Sequence, residues 1–216
     1  MLRNPINIYV PNLSERKERK ENILTEFNNR SEFSLHVISA HEHSTGAIGL
    51  WNTIQYIFMD LVNKEESFVI ICEDDHEFTK NYTCDFLMEK IKEAQGKDAD
   101  ILCGGVSWFK TGLQISNNLF WVEKFSGLQF TVIFKKFYQT ILDASFAEFD
   151  EADYRISDLT DKKFVIYPFI SIQKDFGYSD VTRRNHEERR VERLFEEASE
   201  RFSLLRKVKA NYSNNR

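Results

Sequence analysis

Phe68-Val-Ile-Ile-Cys-Glu-Asp-Asp-His-Glu-Phe78 decides how the rest of the chain is read. Its first half, Phe68 to Cys72, is apolar, short and rich in β-branched residues. That pattern predicts a buried strand, parallel to its neighbours and covered on both faces. The run stops abruptly in Glu73, Asp74 and Asp75. In open α/β sheets the carboxyl ends of the strands face the ligand. Strand alternation would put Glu73 and Asp75 on one side and Asp74 on the other. Two carboxylates on one side repel, and a divalent cation relieves that repulsion while taking hard oxygen ligands. The competing expectation is a solvated acidic turn, or acids placed at the start of the next helix for its dipole.

Working outward, the segments on both sides alternate between strand and helix. Ile6–Val10 predicts a first strand, and Pro11-Asn-Leu-Ser14 predicts a turn out of the sheet. Ser14 is placed to cap a helix over Glu15–Phe27, in which Arg16 and Arg19 share a face. Ser34–Ser39 reads as a second strand. His41-Glu42-His43 reads as a loop, two histidines without a third ligand nearby. A helix over Ala47–Val62 leads into the central run. Beyond it, a helix over Asp85–Gln95 precedes the strand Asp100–Cys103, whose Gly104-Gly105 end allows close approach of backbone to a ligand or a tight turn. Further strands are predicted at Phe120–Glu123, Gln129–Phe134 and Lys163–Tyr167. A helix over Lys135–Ala144 and an acidic cluster from Phe149 to Ile156 lie between the last two. The order predicts an α/β fold with a doubly wound sheet.

The bulk composition limits the function classes. The 216 residues suit one α/β domain, and 42% hydrophobic content with 19 Phe can fill a sizeable core. A formal charge of −5 argues against a nucleic-acid-binding protein. Cys72, Cys84 and Cys103 form no zinc-type spacing and no disulfide framework, which fits a reducing compartment. The start of the sequence has no signal-peptide pattern, and no segment approaches the roughly 20 apolar residues of a membrane span. Cytoplasmic residence is expected, with room for peripheral contact at an inner membrane. From Asn185 a charged amphipathic helix carries the stripe Val191, Leu194, Phe195, Ala198, Phe202 and Leu205, suited to packing on the sheet or on a second copy. The expected division is 1–182 for the sheet domain and 183–216 for this helix and a disordered tail.

Taken in order, these segments resemble glycosyltransferase family 25, the bacterial lipopolysaccharide-type sugar transferases and collagen galactosyltransferases. The likeness runs from Ile8 to Val181. It rests on Asn12-Leu13 followed by Arg16 and Arg19, Gly46 and Gly49 at a helix start, and the apolar strand into Glu73-Asp74-Asp75. It continues with Asp100-Ile-Leu and its glycines, Ser126-Gly127, Asp150-Glu151, Tyr167-Pro168, Gln173 and Ser179-Asp180. The chain departs from the pattern at Leu50 and at Asn52-Thr53, where the family has a cysteine and a Ser-His pair.

The resemblance implies a single GT-A-type, Rossmann-like mixed sheet flanked by helices, with a C-terminal amphipathic helix. It implies a hexosyltransferase that moves a sugar, with inversion, from a nucleotide-sugar donor to a glycan or glycolipid such as lipopolysaccharide. Manganese, or magnesium, is the implied cofactor. Glu73 and Asp75 are expected to hold it, with His186 as a third ligand. Asn12, Arg16, Arg19, Asp74 and Gly104 are expected on the donor, and Asp150, followed by Asp153, as the base that takes the acceptor's proton. The departure at Leu50–Thr53 keeps open an alternative, a catalytically weakened relative that binds nucleotide or glycan. A nucleotidyltransferase would want a glycine-rich phosphate loop after the first strand, and Pro11-Asn-Leu-Ser14 is not one.

Overall fold

Successive residues of the central run Val69–Cys72 alternate between two cores. Val69 and Ile71 belong to one apolar cluster, Ile70 and Cys72 to another, and all four are at most 2% exposed. The same alternation holds in the neighbouring strands: Tyr9 against Ile8 and Val10, Ile101 and Cys103 against Leu102, and Ile133 against Val132. A sheet buried in this way on both faces needs helices on both, and the chain supplies them.

Residues 4–177 and 189–213 are described in a computed structural model of the chain. In order, the elements are β1 (Ile6–Asn12), α1 (Lys17–Glu26), β2 (Phe33–Ser39), α2 (Gly46–Tyr56), β3 (Phe68–Ile71), β4 (His76–Phe78), α3 (Cys84–Gly96) and β5 (Ile101–Cys103). Then come β6 (Trp108–Phe109), β7 (Gly112–Gln114), β8 (Leu119–Val122), β9 (Phe125–Ser126), β10 (Thr131–Phe134), α4 (Tyr138–Asp143), α5 (Ala152–Asp158), β11 (Lys163–Ile166), β12 (Ser171–Gln173) and α6 (Arg190–Ser213). Helix α2 runs on through a π-helical turn, Ile57–Leu61.

Among the described residues, eight strands form one mixed sheet in the order β2-β1-β3-β10-β5-β11-β8-β7. Strands β2, β1 and β3 are parallel, as are β5 and β11. Strand β10 runs antiparallel between β3 and β5, and its first residue, Thr131, pairs with Ile71 and Cys103 at their ends. The central run is therefore parallel to one neighbour and antiparallel to the other, where the sequence suggested parallel pairing. Ile23 of α1 and Leu87 and Ile91 of α3 cover one face. Trp51 and Ile54 of α2, Ile141 of α4 and Ile156 of α5 cover the other. The α/β class, the mixed sheet with flanking helices and the C-terminal helix are all present.

The terminal stripe packs on the chain's own sheet. Val191, Phe195, Ala198 and Phe202 are buried in the core that holds Val69 and Ile71. The Phe202 ring stacks 4.1 Å from Phe109 and meets Phe120, Tyr167 and Phe169. Arg201 donates to the Phe109 carbonyl at 2.6 Å and Arg206 to that of Tyr167 at 2.9 Å.

Several local expectations are corrected. Pro11 and Asn12 stay in β1, paired with Ile38 and Ser39, instead of turning out of the sheet. Strand β3 ends beside Tyr9, so beyond that point one edge of β1 has no strand ladder and a residue lacking an N–H is tolerated. Helix α1 begins at Lys17 with Arg16 at its cap position, and Ser14 reaches only the Glu15 carboxylate at 3.3 Å. Strand β4 pairs with β12, a pairing the sequence did not suggest. No helix of the described residues is long and apolar enough to cross a membrane.

Candidate functional site

The carboxyl ends of the parallel strands open into a cleft of about 1280 Å³. It is lined by Arg16 and Arg19 from the β1–α1 region, Glu73, Asp74 and Asp75 after β3, and Gln173 at the end of β12. Asp153 of α5 and Ser126-Gly127 at the end of β9 line it as well.

Asp74 is the most enclosed of the three acids, at 4% exposure. Its Oδ2 accepts from Asn12 Nδ2 at 2.8 Å, and its Oδ1 accepts from an Arg19 guanidinium nitrogen at 3.1 Å. That nitrogen also donates to Asp75 Oδ2 at 3.0 Å, and Arg16 stands 3.8 Å from Asp74. One guanidinium thus holds Asp74 and Asp75 together, a grouping that alternation did not predict, while Asp75 is also the leading neighbouring charge on Glu73. The reason is that β3 ends before the acids, and a turn closed by His76 N to Glu73 O takes over. Glu73 meets another partner, Gln173, whose amide donates to Glu73 Oε2 at 2.6 Å.

These contacts leave an excess of negative charge. Burial pushes the Glu73 carboxyl well above the ordinary carboxylate range; Asp75, Asp153 and Asp74 add to the rise, and the Gln173 hydrogen bond opposes it. Burial likewise raises Asp75 to about 6, with Arg19 pulling it back. Asp75 Oδ1 is buried and has no hydrogen-bond partner. An unsatisfied buried carboxylate oxygen beside a charge-frustrated Glu is a donor set that suits a hard divalent cation. Among the described residues no group of three His, Cys, Asp or Glu is arranged to enclose a metal. Two carboxylates alone would suit a cation such as Mg²⁺ or Mn²⁺ that keeps several waters, as magnesium commonly does. His186 lies outside the described residues.

The remaining predicted residues separate clearly. Asp153 is in the cleft: its Oδ2 accepts from Ser126 Oγ at 2.6 Å and from the Gly127 amide at 2.9 Å. Gly127 holds φ +109°, a left-handed backbone that suits glycine and aims its N–H at the carboxylate. Asp150 is not among the cleft-lining residues; its Oδ2 caps a local turn by accepting from the Ala147 amide at 2.7 Å. Gly104 is also outside the cleft. A Cβ there would come within 2.9 Å of Phe130 and 3.1 Å of Ile170, and its carbonyl accepts from Ile170 N and Ser171 N. Its smallness brings the segment before β12 onto β5 rather than a ligand onto the backbone.

Sequence reasoning assigned no role to Gln173, Ser126 or Gly127, although each was noted as part of a segment. Three more cleft residues, Glu151, Trp108 and Tyr154, fall in the segments 108–118 and 150–161, whose loop shape the sequence links to substrate choice without singling out a residue. Gln173 stands 100 positions from the Glu73 it contacts, so no local pattern could join them. The His41–His43 loop also lines the cleft. It is fixed by His41 N to Thr53 Oγ1 at 2.8 Å and by the Thr45 amide donating to His43 Nδ1 at 3.0 Å.

Comparison with known proteins leaves the family open. No protein-family model matches the chain, and no curated protein matches it in sequence. Among solved structures, it is similar to a UDP-glucose pyrophosphorylase complexed with UDP-glucose, at 11% identity and a TM-score of 0.49, over 91% of this chain and 81% of that one. HddC from Yersinia pseudotuberculosis overlaps with a TM-score of 0.41 at 16% identity, over 91% and 78% of the two chains. A nucleoside-diphosphate-sugar pyrophosphorylase from Vibrio cholerae overlaps with a TM-score of 0.39 at 11% identity, over 79% and 76%. Overlaps of this size assign no activity, and the resemblance to glycosyltransferase family 25 rests on the sequence segments alone.

Proposed function

We propose that the chain is a metal-dependent glycosyltransferase that takes a hexose from a nucleotide-sugar and passes it to a hydroxyl of a glycan. The observation that carries this reading is the charge order across the cleft. Arg16 and Arg19 stand against Asp74 and Asp75, the charge-frustrated Glu73 lies within reach of Asp75, and the hydrogen-bonded Asp153 acts on Glu73 from α5.

Arg16 and Arg19 supply positive charge where a diphosphate would lie, and Asn12 fixes Asp74 beside them. Glu73 and Asp75 would hold Mn²⁺ or Mg²⁺, which when bound supplies Lewis acidity toward the leaving diphosphate. Asp74, already oriented by Asn12 and Arg19, would contact ribose or the donor sugar. Asp153 takes the proton of the acceptor hydroxyl as the new glycosidic bond forms and the bond to the diphosphate breaks. Ser126 Oγ and Gly127 N keep its carboxylate aimed during that transfer. Attack from the Asp153 wall, opposite the diphosphate, gives inversion at the anomeric carbon. Lipopolysaccharide or another surface glycan is the acceptor class that the sequence resemblance suggests.

The test is a thermal-shift titration with UDP and GDP, with and without Mn²⁺, followed by assay of donor-sugar release. Stabilisation by a nucleoside diphosphate that requires the metal, together with release of free nucleoside diphosphate from a nucleotide-sugar, is expected. Pyrophosphate release from a nucleoside triphosphate and a sugar phosphate would instead make the chain a nucleotidyltransferase and overturn the proposal.

A further inference from the structure

Beyond the polar groups, the wall that carries Asp153 holds a large exposed aromatic. Trp108 of β6 is 37% exposed and lines the cleft. It lies directly across the strand pair from Ser126, the residue that donates to Asp153. Tyr154, next in sequence to Asp153, stands with its ring centre 6.0 Å from that of Trp108 and nearly perpendicular to it, at 86°. Lys124 Nζ lies 4.9 Å from the centre of the Tyr154 ring and is itself paired with Asp158 at 2.7 Å. The indole is thus backed by a fixed ring rather than by loose chain. An exposed tryptophan beside the charged and hydrogen-bonding groups of a cleft suits an amphipathic partner.

The contacts place this aromatic beside Asp153 and not beside the arginines. Arg19 joins Asp75 and Gln173 joins Glu73, while Ser126 joins Asp153 and pairs across the strands with Trp108. The arginine end has an aromatic of its own, Phe176, whose ring centre lies 5.0 Å from the Arg19 guanidinium. A ligand whose phosphates lie at the arginines and whose reacting carbon lies by Asp153 would bring the group on the far side of the reacting bond within reach of Trp108.

We infer that Trp108, braced by Tyr154, is the platform on which the pyranose ring of the acceptor stacks. A hexopyranose offers a face of C–H groups to the indole and a rim of hydroxyls to the polar wall, which brings one hydroxyl to Asp153. This assignment rests on the proposed sugar transfer for its orientation, while stacking itself requires only that the cleft bind a sugar.

The test titrates the full chain by NMR with methyl α- and β-glycosides of glucose, galactose and mannose, and separately with UDP and GDP in the presence of Mn²⁺. At least one glycoside is expected to bind. Trp108→Ala should weaken it about five- to tenfold, Trp108→Phe clearly less, and neither should change nucleoside diphosphate affinity by more than about twofold. The Phe variant guards against a folding artefact, since it keeps a ring at the position. Unchanged glycoside affinity in Trp108→Ala, or no glycoside bound by the parent chain, would overturn the assignment. So would a loss confined to nucleoside diphosphate, because the indole would then be stacking a base. If the parent chain binds glycosides through Trp108 but no nucleoside diphosphate, the platform stands and the sugar-transfer reading falls.

Discussion

Arg19 and Asp75 are joined at 3.0 Å by a guanidinium nitrogen that also reaches Asp74. With side chains only 6%, 5% and 16% exposed for Arg19, Asp74 and Asp75, this is an enclosed ion cluster. Removing one partner of such a cluster leaves uncompensated buried charge. Arg19→Ala is expected to cost about 3–5 kcal/mol in urea unfolding. Mn²⁺ should restore part of that loss, because a cation can then take the place of the guanidinium against Asp75.

The two candidate bases differ in place and therefore in expected effect. Asp153→Asn keeps the hydrogen bond to Gly127 but loses the proton acceptor, so turnover should fall about 10²- to 10⁴-fold. Nucleoside diphosphate affinity should not change. Asp150→Asn, at a turn outside the cleft, should leave turnover within about twofold of the parent, since surface changes of this kind are close to neutral. A loss of turnover in Asp150→Asn with Asp153→Asn active would reverse the assignment.

His76 supplies the pH test of the fold. Its ring is fully buried among Phe27, Phe78 and Phe130, with Nδ1 2.7 Å from Ser171 Oγ. Burial, helped by the charge of Arg30, lowers its pKa from 6.5 to about 3. Between those values the unfolded chain holds a proton that the folded chain refuses, so this group makes stability rise with pH and fall on acidification below 6.5. Its share of the slope is about 1.4 kcal/mol per pH unit. Asp75, raised to about 6, acts in the opposite sense over the upper part of this range. The difference between the parent and His76→Gln isolates the histidine. Unfolding measured at a series of pH values should show a shallower acid-side loss in the variant.

Helix α6 is expected to matter for the stability of the whole sheet. Phe202 is fully buried in the same core as Phe120 and Tyr167, so Phe202→Ala should cost about 3–5 kcal/mol. Leu204 on the same helix is 61% exposed, and Leu204→Ala should stay within about 0.5 kcal/mol. Denaturant midpoints of the two variants would check both.

What could be read directly from the chain was whatever depends on neighbours in sequence. The β-branched run into Glu73 gave its strand and the sheet edge, and the helical spacing of Val191, Phe195 and Phe202 gave a buried stripe. What could not be read depends on distant segments meeting. Gln173 reaches Glu73 only because the three-residue strands β4 and β12 pair, and strands so short carry no periodicity. The ionic grouping of Asp74 with Asp75 was missed because alternation was extended past Cys72, where the backbone already turns. Asp150 and Asp153 look equivalent in sequence; the start of helix α5 at Ala152 carries the second into the cleft and leaves the first in the loop. Gly104 and Gly105 read equally well as ligand-facing or packing glycines. A Cβ on Gly105 would lie 2.1 Å from the Ser171 carbonyl, which decides for packing.

The reversed direction of β10 has a consequence for how such a cleft acquires its second wall. Every parallel crossover carries the chain back to the far edge before a new strand starts. Because Thr131 starts beside the last residues of β3 and β5, the chain enters β10 from the ligand edge, and the stretch before it is delivered there without another helix. That stretch contains Ser126 and Gly127, the two donors to Asp153 Oδ2. A single strand inversion thus furnishes the carboxylate's cradle, and an all-parallel ordering of the same segments would have left it on the wrong side of the molecule.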